Sequence, residues 1–209
     1  MSMPHVSSRP SRLRHAWVMA LMALAALPGT ACHRYVVVNT ADPLYGARNF
    51  IIEPLAFNNL SVGRLPEEVY LSRKDAQQQQ SWQIDKGETA QTYFAQVTQA
   101  AGAFGLQIQP PPPPGPGYFI VRPSVSQFEP GNFNYFVNIP TQMSIVLEIF
   151  TPDGRRVGLE AMSTRVPATL ANPSSGGRMR QAGGQLGYET AVYLARRAGV
   201  RRPNGALVR

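Results

Sequence analysis

The sequence has almost no cysteine and almost no histidine. Cys32 is the single cysteine among 209 residues, and the three histidines are His5, His15 and His33. One cysteine cannot form an intrachain disulfide, and it cannot form a site with several thiolate ligands. Histidines confined to the N-terminal region exclude a Ser-His-Asp triad, a Cys-His pair and a multi-histidine metal centre from the rest of the chain. The catalytic chemistry that remains is that of carboxylates.

Acidic residues are absent before Asp42, and the apolar run in this region is short. Arg9, Arg12 and Arg14 precede the run AWVMALMALAAL, which has 12 residues. A transmembrane helix needs about 20 apolar residues, so this run is too short to span a bilayer. A basic segment, a short apolar run and small residues before a cleavage site are typical of a secretory signal peptide. We therefore predict that residues 1–31 are a signal peptide.

The segment LPGTAC, which ends at Cys32, resembles a bacterial lipobox, in which signal peptidase II cuts before a diacylated cysteine. Gly29 stands where such segments usually have leucine. The resemblance implies that Cys32 carries fatty acyl chains such as palmitate, which would hold the domain at a membrane. His33, in place of an aspartate, indicates sorting to the outer membrane, with the domain facing the periplasm. The alternative is an ordinary signal peptide cut after Ala31, which leaves Cys32 as a free thiol.

The chain after the signal peptide is long enough for one domain. Removing residues 1–31 leaves 178 residues, with 17 basic and 12 acidic side chains and a net charge of +5. We predict a tether over 32–48, a single α/β domain over 49–200 and a basic tail over 201–209. A location outside the cytoplasm argues against nucleic acid as a partner. Anionic lipid or lipopolysaccharide remains an alternative partner for the C-terminal arginines, which are Arg196, Arg197, Arg201, Arg202 and Arg209.

Alternating hydrophobicity predicts the strands. They are expected over 49–57, 118–128, 141–151 and 155–166, with a short strand over 106–109. PDG at 152–154 is typical of a hairpin turn. Three sets of alternating apolar residues are expected to face inward. They are Phe119, Val121 and Val125, then Met143, Ile145, Leu147 and Ile149, and finally Val157, Leu159 and Ala161.

Helical periodicity predicts two helices, over 86–104 and about 177–198. Asp85 and Glu88 have the spacing of a capping box for the first helix. Ser174 and Ser175 are suitable N-caps for the second. The expected fold class is α+β, with one mostly antiparallel sheet of 4–5 strands and two helices packed on one face.

This order of elements resembles bacterial envelope lipoproteins of unknown or accessory function. Their small α/β domain is similar to the N-terminal domain of TolB and to the core of the curli-secretion lipoprotein. Five segments carry the resemblance, across most of residues 49–199. They are NFIIEPLAF, AAGAFGLQI, GYFIVRPSVSQFEPG, MSIVLEIFTPDGRRVGLEA and YETAVYLARRAG. The resemblance implies a fold and an envelope location, and it implies no catalytic residues and no cofactor.

The function that follows from these features is a lipid-anchored binding or envelope-assembly module without catalytic activity. Its partners would be the membrane, through Cys32, and an envelope protein, whereas its oligomeric state stays open. The loop EPGNFNYFVNIP is the candidate partner surface because it carries Phe133, Tyr135 and Phe136 among asparagine and glycine. Partial burial of these rings against the sheet is the alternative.

A carboxylate-dependent enzyme acting on an envelope glycan is the second hypothesis. Such enzymes hold two carboxyl groups roughly 5–9 Å apart. Glu148 and Glu160, on facing strands of the predicted hairpin, are the pair to consider, and Glu53 and Glu129 are the other acids of this region. Both glutamates stand at the polar positions of the alternating strand pattern, and such positions are also typical of a solvent-exposed face.

Overall fold

The computed structural model describes residues 41–111, 117–133 and 138–200, which all belong to one compact unit. The predicted signal peptide, Cys32, Tyr135, Phe136 and the basic tail lie outside the described residues. Within the described ranges, no helix has both the length and the apolar composition needed to cross a bilayer.

Three helices occur among the described residues. α1 is the short Glu67–Leu71, α2 is Ala76–Ala103 and α3 is Ser175–Arg197. α3 begins after Ser174, whose Oγ accepts a hydrogen bond from the Gly177 N–H at 3.0 Å, as the sequence predicts. Both long helices end in a Schellman motif at a glycine with positive φ, Gly105 after α2 and Gly199 after α3.

Helix α2 begins ten residues earlier than predicted. The capping box is formed by Asp75 and Gln78, since the Gln78 N–H donates to Asp75 Oδ1 at 2.8 Å. The predicted capping box of Asp85 and Glu88 is therefore wrong, because both residues lie inside the helix. The first two turns of α2 are almost entirely polar and exposed except for Trp82, so they carry no apolar stripe that periodicity can detect.

The described strands form a main sheet of seven and a separate pair. The main sheet contains β1 (Asn49–Ile52), β2 (Ser61–Val62), β3 (Leu65–Pro66), β4 (Gln107–Gln109), β5 (Phe119–Glu129), β8 (Thr141–Phe150) and β9 (Arg156–Val166). The pair consists of β6 (Asn132–Phe133) and β7 (Asn138–Ile139). The long strands agree with the predicted positions of the central hairpin.

The sheet is mixed, which corrects the expectation of a mostly antiparallel sheet of 4–5 strands. β1 is parallel to both β4 and β5, and β2 is parallel to the second half of β5. β5, β8 and β9 are antiparallel neighbours. The parallel pairs arise because α2 carries the chain back across the sheet between β1 and β4, which is the usual route for a parallel connection.

Helices α2 and α3 pack on each other and cover one face of the sheet. The four predicted inward residues of β8, Met143 to Ile149, are fully buried there, and so are Val121 and Val125 of β5. The helices approach closely at Gly187, where a Cβ atom would lie 2.5 Å from the Tyr93 carbonyl oxygen. The small-residue face of α3 therefore allows backbone-to-backbone packing.

The predicted inward face of β9 is wrong for Leu159 and Ala161, whereas Val157 packs against the core as expected. Ile145 pairs with Met162 and Leu147 pairs with Glu160, so the covered face of β9 carries the residues that were expected outside. A register shift beside Phe150 changes the phase of the strand. Leu159, expected in the core, is 58% exposed. The edge position of β9 tolerates this arrangement because helix α3 covers the strand only in part.

The part of the predicted tether that the structure describes lies against the domain. Leu44 is fully buried in the core, and the Gly46 N–H donates to the Ala198 carbonyl at 3.1 Å. Asp42 accepts hydrogen bonds from both Nε and Nη2 of Arg197. This segment therefore fixes the start of the domain to the C-terminal end of α3.

Candidate functional site

Arg178, in the first turn of α3, is the largest fully buried side chain in the part of the chain that the structure describes, with 1% of its surface exposed. Its Nε donates to Thr141 Oγ1 at 2.7 Å, and its Nη2 donates to the Pro130 carbonyl at 2.9 Å. Its Nη1 donates to the carbonyls of Asn172 and Pro173. All four acceptors are uncharged oxygens, and no carboxylate among the described residues forms an ion pair with this guanidinium.

Burial lowers the pKa of Arg178 below its ordinary value. Removing a guanidinium from water is costly unless its donors find acceptors inside the protein. Here the acceptors come from three separate segments, which are the end of β5, the start of β8 and the loop before α3. The side chain therefore connects the described ends of the loop between β5 and β8, at Pro130 and Thr141, to the loop at residues 167–174.

Each of these loops carries an exposed apolar residue. Ile139, in β7, is 46% exposed, and Leu170 is 78% exposed. Leu170 lies in a turn closed by hydrogen bonds from the Asn172 N–H to Thr169. Leu170 therefore contributes little to packing within the described part of the domain, whereas Ile139 is about half covered. We call residues 130–133, 138–140 and 169–172 the two-loop surface.

The structure describes one of the three predicted partner residues, and the role of all three stays a prediction. Phe133, in β6, is half-buried, and its neighbours in the loop, Asn132, Asn138 and Pro140, are exposed. Tyr135 and Phe136 lie outside the described residues, so their part in a partner surface stays a prediction. The two-loop surface includes the described part of the predicted loop and adds a second loop to it.

The two glutamates considered for catalysis do not come together. Glu148 pairs with Leu159 on the open face of the sheet, whereas Glu160 pairs with Leu147 on the covered face. Residues directly opposite each other share a face, so these two carboxyl groups point to opposite sides and cannot act on one glycosidic bond. Glu148 forms an exposed ion pair with Arg156 at 2.9 Å, and Glu53 forms another with Arg122 at 2.9 Å.

A polar cleft of about 300 Å³ lies where α1, α2 and the start of α3 meet. Its one carboxylate is Asp85, which accepts a hydrogen bond from Arg180 at 2.6 Å. Burial raises the pKa of Asp85, although Arg180 opposes this effect. Glu88 also pairs with Arg180, at 2.9 Å. The cleft is therefore a junction between helices, and it holds no pair of acids with separate environments.

No group of three or more histidine, cysteine, aspartate or glutamate side chains that could hold a metal ion occurs in the described ranges. Several other described carboxylates are engaged by arginine or lysine. For example, Glu67 accepts hydrogen bonds from Lys86 at 2.8 Å and from the Trp82 indole at 2.5 Å. These contacts fasten α1 to α2.

The sequence matches no protein-family model and no curated protein. Structures with some likeness include the DUF330-family protein XCC0632 from Xanthomonas campestris, which is 11% identical with a TM-score of 0.37 over 75% of this chain and 88% of that one. PelC from Paraburkholderia phytofirmans, solved as a dodecamer, is 6% identical with a TM-score of 0.38 over 69% of this chain and 87% of its own. The hypothetical protein CT253 from Chlamydia trachomatis is 11% identical with a TM-score of 0.37 over 71% of this chain and 98% of its own.

These values describe a distant likeness and assign neither a family nor a function to this chain. The resemblance to the TolB N-terminal domain and to the curli-secretion lipoprotein stays a prediction. The candidate site therefore depends on the geometry of the two-loop surface and on the N-terminal sequence.

Sequence reasoning missed Arg178 and Leu170. Arg178 precedes Ala182 and Leu186 at helical spacing, so it falls on the apolar stripe of α3. A charged residue at the start of such a stripe is a signal for a buried cation that braces nearby loops. Leu170 gives a weaker signal, because an isolated leucine in a polar loop is common at protein surfaces.

Proposed function

We propose that this chain is a lipid-anchored envelope protein, attached to the outer membrane through Cys32, which binds a partner protein through the two-loop surface without catalysing a reaction. The observation that carries the binding role is Arg178. Its fully buried guanidinium holds two loops in place, and each loop presents an exposed apolar side chain. Rigid loops lose less conformational entropy on binding than mobile ones do.

The apolar tips supply the binding energy in this proposal. Burying an isoleucine or leucine side chain fully contributes about 1.5–3 kcal/mol. Ile139 and Leu170 are already partly covered, so burying the rest of their surface would contribute about 2–4 kcal/mol together, before the cost of association. The exposed polar residues beside them, Asn132 and Asn138, fit the polar rim that surrounds the apolar centre of an interface.

The anchoring is tested by expressing the full chain in a Gram-negative bacterium and measuring the mass of its processed N-terminus. We expect a chain that begins at Cys32 and carries acyl chains. Cys32→Ser should prevent this processing. An unmodified cysteine, or a mature chain that begins elsewhere, would contradict the anchoring.

The binding role is tested by site-specific photo-crosslinking in the same cells. A photoreactive residue is placed at Ile139 or Leu170, and at Ile84 or Leu159 as controls, which are 52% and 58% exposed. We expect the first two positions to crosslink one shared envelope protein that the controls do not reach. The double variant Ile139→Ser/Leu170→Ser should then fail to co-purify that protein, whereas Ile84→Ser/Leu159→Ser should retain it. Equal crosslinking from all four positions would contradict the proposal.

A further inference from the structure

The N-terminal segment leaves the domain at the C-terminal end of α3. Asp42 and Arg197 form a two-point contact there, and Arg48 Nη1 donates to the Ala198 carbonyl at 3.2 Å. Arg197 Nη2 also lies 3.5 Å from the Val157 carbonyl, which brings the start of β9 to the same place. Residues 41–48, the β8–β9 turn and the end of α3 therefore form one end of the domain.

Among the described residues, this end carries unpaired positive charge, which the carboxylate of Asp153 offsets only in part. Arg48, Arg155 and Arg196 are exposed, and none of them forms an ion pair with a described carboxylate. The acidic neighbour in the turn is the exposed Asp153. Hydrogen bonds from Thr151 and from its own backbone lower the pKa of Asp153, and the charge of Arg155 adds a smaller lowering. We call the surface formed by Arg48, Arg155 and Arg196 the basic end.

The basic end is distant from the two-loop surface. Arg178 lies in the first turn of α3 and Arg197 is its last residue, and a helix of 23 residues is about 34 Å long. Interactions between exposed charges are screened over about 10 Å at moderate ionic strength. The charges near the two-loop surface therefore contribute little to the potential at the basic end.

We propose that the basic end lies against an anionic phospholipid surface. The inference rests on the proposed anchoring, because the ten steps from Cys32 to Asp42 span at most about 36 Å and keep this end of the domain close to the membrane. Each basic residue near such a surface strengthens binding about fivefold. Tyr45, 47% exposed at the same end, is of a residue type enriched at membrane interfaces. The two-loop surface would then point away from the membrane.

The test uses the protein as the cell processes it, reconstituted into vesicles of phosphatidylcholine with phosphatidylglycerol that carry a headgroup-attached quencher. A fluorophore is attached through Pro152→Cys in the β8–β9 turn, or through Leu170→Cys on the two-loop surface. We expect strong quenching at position 152 and weak quenching at position 170. Replacing phosphatidylglycerol by phosphatidylcholine should reduce the quenching at position 152 to the weak level.

The matched charge variants are Arg48→Gln/Arg155→Gln/Arg196→Gln and the control Arg64→Gln/Arg73→Gln/Arg165→Gln. Both sets remove three exposed arginines, but the control set lies away from the basic end. The first set should weaken surface association roughly a hundredfold, whereas the control should leave it nearly unchanged. Equal quenching at positions 152 and 170, or equal effects of the two sets, would overturn the inference.

Failure of the anchoring is recognised separately, by the mass of the processed N-terminus. If Cys32 is unmodified, the same protein is added to preformed vesicles and sedimented. The inference still requires association with phosphatidylglycerol vesicles, none with phosphatidylcholine vesicles, and its loss in the basic-end variant. Association that does not depend on lipid charge would overturn it whatever the state of Cys32.

Discussion

Arg178 and Thr141 are joined inside the domain by a 2.7 Å hydrogen bond between Nε and Oγ1, although they lie 37 residues apart in the sequence. The Thr141 hydroxyl donates in turn to the Pro130 carbonyl at 2.6 Å, and this carbonyl also accepts from Arg178. The three groups form a closed set, in which each position depends on the other two. Pro130, directly after β5, is therefore held by a residue that follows it by 48 positions.

Replacing Arg178 should destabilise the protein strongly. Arg178→Met removes the donor to Thr141 Oγ1, in a fully buried residue, together with the donors to three backbone carbonyls, and a buried acceptor left unsatisfied costs about 1–3 kcal/mol. We expect a loss of about 3 kcal/mol or more in the free energy of unfolding, measured by chemical denaturation. Arg180→Met is the matched control, because Arg180 is two residues away and its ion pairs are partly exposed. Its cost should stay below about 1 kcal/mol, and equal losses would contradict the bracing role.

The central hairpin could be predicted from the sequence because β8 is buried on one face along its whole length. Its alternation from Met143 to Ile149 is therefore clean. β9 could not be predicted in the same way. Both phases of its sequence contain apolar residues, with Val157 and Leu159 in one and Met162 and Val166 in the other. The register shift beside Phe150 decides between them, and such a shift is set by pairing in three dimensions.

The parallel part of the sheet and the candidate site were harder to predict for a related reason. The two-residue strand β2 gives no periodic signal, and its pairing with β5 depends on the fold around it. The bonds of Arg178 join segments that are distant in sequence, and three of its acceptors are backbone carbonyls, which no residue type reveals. The sequence therefore predicts the loop of Phe133 as a candidate partner surface, whereas the contacts of Arg178 with this region are visible only in the structure.

Asp42 and Asp85 should affect the pH dependence of stability in opposite directions. Burial acts to raise the pKa of Asp42, but hydrogen bonds from Arg197 and the Leu44 N–H and the charge of Arg197 together hold it below the ordinary value of 3.8. At pH values between the pKa of Asp42 in the folded chain and 3.8, the unfolded chain binds more protons than the folded chain. The free energy of unfolding therefore falls as the pH falls through this interval. Burial raises the pKa of Asp85 above 3.8. At pH values between 3.8 and this raised pKa the folded chain binds more protons, so Asp85 makes the free energy of unfolding rise as the pH falls.

Asp42→Asn should therefore flatten the loss of stability at low pH, and Asp85→Asn should make it steeper. The measurement is a series of denaturation midpoints from neutral pH to below 3.8, the ordinary aspartate value. A change of the same sign in both variants would show that these two contacts do not govern the titration.

Two glycines of α3 should respond differently to alanine. At Gly187 a Cβ atom would lie 2.5 Å from the Tyr93 carbonyl oxygen and 3.2 Å from the Val97 nitrogen, whereas at Gly184 its nearest neighbour is Thr92 Cγ2 at 3.4 Å. Gly187→Ala should lower the melting temperature, because overpacking costs about 1–3 kcal/mol. Gly184→Ala should raise it slightly, since alanine favours a helix by about 1 kcal/mol over glycine. Stabilisation by both variants would place the helices farther apart than described.

The orientation of β9 can be tested with a pair of serine substitutions. Leu159, on the open face, is 58% exposed, whereas Met162 lies on the covered face and packs against the core. Leu159→Ser should change the free energy of unfolding by less than about 0.5 kcal/mol, as is usual at the surface. Met162→Ser should cost about 2 kcal/mol, because it removes buried apolar volume beneath α3. Chemical denaturation of both variants measures the difference. The reverse order of costs would mean that Leu159 and Ala161 face the core, and it would return Glu148 and Glu160 to one side of the sheet.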